Sequence, residues 1–402
     1  MQASDPVALV NFAPALRLAL LAGVIALLPL SWWWLRQRGA NGHARTAALT
    51  ALTLFLTFDL IVFGSFTRLT DSGLGCPDWP GCYGQVSPLG AARDIHAAES
   101  ALPTGPVTLT KAWIEMIHRY LAMTVGVLIL ALAAVAWRAH WRREPMPVGP
   151  WWPTATLLWV IVQGLFGKYT VTLKLYPAIV TLHLLGGLVL LALLAAQHVR
   201  YRPAPLVLPA GLRGPLLMAM ALLWLQVALG GWVSTNYAVL ACEGFPACNG
   251  QWWPAMDLAA GFVVLRPLGL AADGGFLPFE ALVAIHMVHR LFAVAAVAAL
   301  LWLAWALWRR AAPGSVAHAA SHRRFAAAIA AVSFLQVATG LSNVVLDWPI
   351  VAALLHSAGA AALVLLLALL HARTGLARSG RAGAGTAARD PGAATGPATP
   401  AA

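Results

Sequence analysis

The sequence predicts an all-α integral membrane protein: two tandem four-helix bundles related by pseudo-twofold symmetry, plus one extra N-terminal transmembrane helix. Three observations predict it. Of 402 residues, 60% are hydrophobic and only 10% charged, against roughly 25% charged in soluble domains, and the mean hydropathy is +0.75. Nine apolar stretches are each long enough to cross a bilayer. The second half of the chain repeats landmarks of the first.

A hydrocarbon core of ~30 Å needs roughly 20 helical residues at ~1.5 Å each. The stretches lie at about 14–35, 49–68, 114–136, 152–169, 178–198, 214–234, 282–308, 325–343 and 350–372. The first ends in "WWWLRQR" with no small-residue cleavage site after it, so it reads as a retained helix and not a signal peptide. The organisation expected is 1–47 for this helix and its loop, 48–200 and 201–373 for the two bundles, and 374–402 for a tail. That tail is rich in Ala, Gly and Pro without an apolar period, a composition that predicts disorder.

The formal net charge of +12 invites a nucleic-acid reading until its placement is examined. Arg36, Arg38 and Arg45; Arg138, Arg142 and Arg143; Arg200, Arg202 and Arg213; Arg309, Arg310, Arg323 and Arg324; and Arg373, Arg378 and Arg381 all fall in alternate connections. The positive-inside rule makes those connections cytoplasmic. The charge therefore reports topology, and no nucleic-acid partner is expected. Cys76, Cys82, Cys242 and Cys248 then all lie in outer loops, and an even count in an oxidising compartment favours two disulfides. A bacterial inner membrane, with these loops periplasmic, is the expected location.

The repeat organises the rest. "CPDWPGCYGQ" (76–85) and "CEGFPACNGQ" (242–251) share C-x3-P-x-C-x-G-Q, and Gly64 and Gly230 each precede the first cysteine by twelve residues. "IEMIHR" (114–119) matches "IHMVHR" (285–290), and "LHLLGG" (182–187) matches "LHSAGA" (355–360). Gln163 with Gly167, Gln226 with Gly230, and Gln336 with Gly340 share Gln-x3-Gly. A four-helix unit keeps both halves in the same orientation, about an axis along the membrane normal.

Of twelve histidines, His43, His140, His198, His318, His322 and His371 fall beside cytoplasmic loops and His96 in an outer loop, all expected to be solvated. His118, His183, His289 and His356 instead sit inside the outer ends of their helices. An intramembrane polar residue is costly without a partner, and four at one level, two per repeat, point to ligation. Two imidazoles from facing helices suit the axial positions of a heme iron within a helical bundle, whereas zinc or copper wants three or four converging ligands. The pairs expected are His118 with His183 and His289 with His356. Met116 and Met287 project from the wrong side of their helices to join them. Arg119 and Arg290 follow the ligands at the rim, where a guanidinium fork could take a heme propionate; snorkelling to headgroups is the alternative. Arg68, in "TRLTDSGLG", is a further rim candidate.

The stretches "TRLTDSGLGCPDWPGC" (67–82), "EMIHR" (115–119), "QGLFGKYTV" (163–171), "TLHLLGG" (181–187), the pair Cys242 and Cys248, "HMVHR" (286–290) and "LLHSAGA" (354–360) together resemble the heme A synthase family over about residues 48–372. The resemblance implies an oxidoreductase that converts the C8 methyl of heme O to the formyl group of heme A for terminal oxidase assembly. It implies a cofactor heme b in the C-terminal half on His289 and His356, and a substrate pocket in the N-terminal half with His118 and His183. Glu115 maps to the residue tied to catalysis. Partners implied are the heme O synthase that supplies the substrate, cytochrome oxidase assembly factors, and an electron-transfer partner of unknown identity. A carboxylate three residues before His118 could accept protons or steady a developing cation; a salt bridge to Lys111 or Arg119 is the plainer role. His286 stands at the equivalent position.

The cysteine pairs Cys76–Cys82 and Cys242–Cys248 read as clasps over the heme mouths, with a redox relay or transient bond to a delivery partner, or a metal site, as alternatives. Asp59 is an intramembrane acid, either a proton path or packed on a neighbouring helix. A di-heme b electron-transfer cytochrome fits the histidines equally well but leaves Glu115 unexplained. A transporter would break helices near mid-membrane, and here the polar residues gather at one end.

Overall fold

With so few charges to solvate and so much apolar surface to bury, the apolar stretches close their backbone hydrogen bonds within helices, as a bilayer demands. The computed structural model describes residues 13–311 and 316–387. Its helices are α1 (Ala13–Arg36), α2 (Gly42–Leu69), α3 (Ala92–Ala101), α4 (Leu109–Trp141), α5 (Trp151–Thr172), α6 (Pro177–Tyr201), α7 (Arg213–Thr235), α8 (Leu258–Gly261), α9 (Phe279–Arg309), α10 (Val316–Val345) and α11 (Ile350–Ala387). One 3-10 turn, Ala238–Leu240, follows α7. Among the described residues eight helices are long and apolar enough to cross a membrane. α5 is not one of the eight, because Thr154, Thr156, Gln163 and Lys168 dilute its apolar run. It nonetheless packs between α4 and α6.

Several boundaries extend beyond the apolar stretches. α2 starts at Gly42, capped by Asn41 Oδ1, which accepts from Ala44 N at 2.8 Å. α4 starts at Leu109, capped by Thr108 Oγ1, which accepts from Lys111 N at 3.2 Å. Capping residues set these ends where hydropathy could not. α11 runs on to Ala387, so the first part of the tail expected to be disordered is helical, as its Ala, Leu and Arg content permits. Residues 388–402 lie outside the described residues.

Two rings of helices close. α2, α4, α5 and α6 each touch two neighbours in that order, and α7, α9, α10 and α11 do the same. Between the rings, α6 packs on α11, α6 on α7, and α2 on α11. Exchanging the halves turns α6 on α7 into α11 on α2, so the interface maps onto itself, as a twofold requires. α1 lies outside the rings against α4 and α2.

At the arginine-rich end both bundles close on aliphatic side chains. Leu49, Val125, Leu128, Leu132, Leu190 and Leu194 fill the first; Leu216, Leu223, Leu303, Leu307, Ile329 and Leu367 fill the second. α2 satisfies its buried hydroxyls internally: Thr46, Thr50, Thr53 and Thr57 each donate to the carbonyl four residues back at 2.7–2.9 Å. Asp59 lies exposed on α2, away from this stripe. His322, expected to be solvated, is fully buried, because the 202–212 connector folds over the start of α10 and sets Val207 beside it.

The repeat is structural as well as sequential. Cys76–Cys82 and Cys242–Cys248 are both bonded, each with Cα atoms 4.9 Å apart. Each loop then turns through two left-handed residues, Tyr83 (φ 49°) and Gly84 (φ 71°), or Asn249 (φ 51°) and Gly250 (φ 77°). Bridges join Cys82 to Gln85 and Cys248 to Gln251. Glycine at the third position of C-x-G-Q, the second central residue of the turn, takes the left-handed conformation without strain.

Candidate functional site

The four deep histidines share one construction. A β-carbon placed on Gly64 of α2 would lie 2.8 Å from Cε1 of His118, and one on Gly230 of α7 would lie 3.0 Å from Cε1 of His289. On Gly167 of α5 and Gly340 of α10 the same atom would approach Cε1 of His183 and His356 at 3.7 and 3.1 Å. His118, His289 and His356 therefore rest in notches that a glycine on the neighbouring helix keeps open, while His183 faces Gly167 at ordinary contact distance. His118 and His183 are close enough to interact electrostatically, as are His289 and His356. Both expected pairs are brought together.

The glutamines explain the remaining small residues. A β-carbon on Gly186 would overlap the Gln163 amide, and one on Gly359 would overlap Gln336. The Gln-x3-Gly motif and the glycine three residues after the ligand are thus two sides of one contact, joining α5 to α6 and α10 to α11. Small residues at such crossings let membrane helices approach closely. Trp159 Nε1 adds a bond to Gly186 O at 2.8 Å, and Gln336 Nε2 donates to His356 O at 2.9 Å.

The halves then diverge. In the C-terminal half, Thr339 gives its hydrogen to Leu335 O at 2.7 Å, so its oxygen accepts from His356 Nδ1 at 3.1 Å. That bond places the proton on Nδ1 and leaves the Nε2 lone pair for a metal. Gln226 Nε2 lies 3.1 Å from His289 Nδ1 and 3.4 Å from its Nε2, and donates to His289 O at 3.3 Å; an amide nitrogen donates only, so it holds the backbone and ring of His289 without fixing a proton on Nδ1. In the N-terminal half the equivalent positions are Leu60 and Phe166, and Nδ1 of both His118 and His183 is buried without a partner. Phe63 stacks near His118, with ring centroids 6.4 Å apart.

Glu115 is buried, 4% exposed. Its Oε2 accepts from Cys76 N at 2.8 Å, and Oε1 is held by Arg119 Nη2. The loop reaches it because residue 75 is glycine: a β-carbon there would lie 2.5 Å from the Lys111 carbonyl carbon. Arg119, expected to meet a propionate, is instead enclosed. Its Nη1 donates to Asp78 O at 3.0 Å, Pro80 O at 3.2 Å and the Gly81 carbonyl. Of the two partners offered for Glu115, Arg119 is the one found; Lys111 faces Asp71 at 3.9 Å. Arg290 performs the matching task with Cys242 O at 2.6 Å and Gly244 O at 3.1 Å, from a half-exposed position. His286 is buried with Nδ1 2.9 Å from Ala238 O. Both halves thus pin their disulfide loop with an arginine, and only the first sets a carboxylate beneath it.

Arg68 joins the halves. Its Nη2 donates to Ser234 O at 2.6 Å, and its guanidinium lies 4.1 Å from the centre of the Tyr237 ring. The Tyr237 hydroxyl donates to Asp71 Oδ1 at 2.5 Å. Partial burial, with the Asp71 carboxylate, pushes this phenol up from its usual value against the opposing pull of Arg68. Tyr237 carries no sequence signal, since it lies outside every repeated motif.

Each half sets two imidazoles on neighbouring helices, with a glycine of the adjoining helix facing each ring. Among the described residues no three His, Cys, Asp or Glu side chains converge as a bare ion would need. The fold and site together define a multi-pass helical membrane protein with a matched pair of buried histidines in each half. The family model described as cytochrome oxidase assembly protein matches residues 47–368, and the chain belongs to that family. Among curated relatives, the heme A synthase of Shewanella oneidensis is 35% identical over 335 residues, 80% of this chain and 94% of the relative. The heme A synthase of a Methylobacterium species is 30% identical over 385 residues, 87% and 98% of the two chains.

Proposed function

We propose that this chain is a heme A synthase: an oxidoreductase that takes heme O in its N-terminal half and oxidises the C8 methyl group, in successive steps, to the formyl group of heme A. The observation that carries the division of labour is the uneven treatment of the four imidazoles. His356 has an acceptor at Nδ1, the Thr339 hydroxyl, a feature that orients a ligand and strengthens metal retention by 10–100-fold or so, and with His289, whose backbone carbonyl accepts from Gln226, it suits a resident heme b. His118 and His183 also face glycines of the neighbouring helices but are left unanchored at Nδ1, which suits a heme that must enter and leave.

Heme b, when bound, supplies one-electron redox chemistry. The chain's own residues do the rest. Glu115 lies one helical turn before His118 on the same face, with both oxygens fixed by Arg119 and the Cys76 amide. A carboxylate held there is placed to steady positive charge or receive a proton as the neighbouring methyl is oxidised. His286 replaces it where no methyl needs to react. Arg290 and Arg68, both partly exposed on the rim, are the propionate candidates that remain. The heme O synthase would supply substrate, cytochrome oxidase assembly factors would receive product, and a further partner would take the electrons. The cysteine-loop end faces the periplasm of a bacterial inner membrane, by the arginine bias of the opposite end.

The test is pigment extraction from cells expressing the chain with a heme O supply. Formyl heme should accumulate, and Glu115→Ala should abolish it while the bound-heme absorbance persists. An unchanged heme pool with the wild-type chain would refute the reading and leave a di-heme electron carrier in its place.

A further inference from the structure

The arginine-rich end holds a cavity that the heme chemistry does not use. It has a volume of about 200 Å³ and lies between the 207–211 connector, Arg213 at the start of α7, and Thr374 and Arg378 of α11. We propose that it binds the phosphate headgroup of an anionic phospholipid from the cytoplasmic leaflet.

Three observations converge on that ligand. The first is uncompensated charge. The connections 36–46, 138–150, 198–213, 309–324 and 371–381 contain a single carboxylate between them, Glu144. Arg310 Nη1 is used on Ala210 O at 3.4 Å and Arg373 Nε on Ala204 O at 2.6 Å, holding the connector in place. Arg213 and Arg378, which line the cavity, have no hydrogen-bond or ion-pair partner among the described residues. Arg213 and Arg378, both exposed, flank one recess, and two guanidiniums so placed bind a phosphate well. The second is the helix: the cavity opens at the N-terminus of the 23-residue α7, whose free amides and dipole favour an anion.

The third is the character of the walls. Val207, Leu208, Pro209 and Ala377 make most of the lining apolar, which suits a headgroup followed by acyl chains and not a fully hydrated phosphate ion. Trp305 and Trp308 lie exposed near the same end of the second bundle, with Arg323 5.8 Å from the centre of the Trp308 ring. An aromatic belt of this kind marks the headgroup level of a bilayer. Behind the connector, His322 is fully buried beside the Val207 backbone, so the connector that forms this wall packs onto the second bundle. The bound lipid would join the linker between the halves to the end of α11.

The full-length chain, purified into phosphatidylcholine nanodiscs, is titrated with fluorescent phosphatidylglycerol, with phosphatidylcholine of the same chain length, and with inorganic phosphate as competitor. With two arginines contributing, phosphatidylglycerol should bind about 30-fold more tightly than phosphatidylcholine. The double variant R213Q/R378Q should lose that preference, and R213K/R378K should retain most of it. An undiminished preference in the double variant would overturn the site, and displacement of the lipid by millimolar phosphate would overturn the lipid assignment. Should the double variant not fold, R378Q alone, at an exposed position, must weaken phosphatidylglycerol binding about fivefold, and an unchanged affinity overturns the proposal.

Discussion

Replacing Thr339 by valine keeps the shape of the side chain and removes one oxygen. In the structure that oxygen is an acceptor by necessity, since its own hydrogen goes to Leu335 O at 2.7 Å while His356 Nδ1 lies 3.1 Å away. Without it the Nδ1 proton has no partner in the protein interior, the imidazole is free to turn, and the basicity of Nε2 falls. Losing an outer partner of a metal-bound histidine typically costs 10–100-fold in affinity, or about 1.4–2.7 kcal/mol at roughly 1.4 kcal/mol per decade. The assay is heme transfer from purified protein to an apo-globin acceptor, followed by absorbance. Thr339→Val should lose its resident heme about 10–100 times faster than wild type, with helix content unchanged. The opposite substitution in the other half, Phe166→Thr, should slow heme exit there. Equal loss rates for wild type and Thr339→Val would refute the argument that hydrogen bonding at Nδ1 separates the keeping half from the exchanging half.

Arg119→Gln leaves Glu115 buried without its cation, and breaking such a pair costs about 3–5 kcal/mol; the unfolding midpoint should drop sharply, while Arg290→Gln, whose partners are carbonyls, should cost roughly 1 kcal/mol. Gly230→Ala puts a methyl 3.0 Å from His289, so the resident heme spectrum should weaken while Gly64→Ala leaves that spectrum intact and lowers substrate-heme binding instead. Tyr237 is held protonated above its ordinary range, so its contribution to stability is complete below about pH 10 and is lost as the pH rises through the raised folded value. Tyr237→Phe should therefore flatten the alkaline end of the stability curve, measured by thermal unfolding against pH.

The histidine pairing, the duplication and the disulfides were legible in the sequence because each is written twice. A motif that recurs at matched spacing states its own importance, and His118 with His183 needed nothing more than period and depth. The glycine notches were half legible: Gly64, Gly167, Gly230 and Gly340 stood in the repeat, but only the structure reveals that each faces an imidazole across a helix boundary. Arg119 was misread because its partner carbonyls belong to the backbone of residues 78–81, which have no side-chain signature at that position. The anchoring pair Gln226 and Thr339 is visible only as a difference between halves, and a search for likeness passes over differences. His322 was assigned to water from its place near a loop, whereas burial there depends on how the 202–212 connector folds back.

The wall between the bundles is made by α6 and α11, and each of those helices carries one ligand of its own pocket, His183 and His356. The two pockets consequently have no independent coordinates. A tilt or a slide of either helix shifts a ligand on one side and the floor of the neighbouring chamber on the other. The separation between the two histidine pairs is thereby tied to the packing of α6 on α11, with α6 on α7 and α2 on α11 beside it. A partition of that kind serves as a ruler between the two histidine pairs.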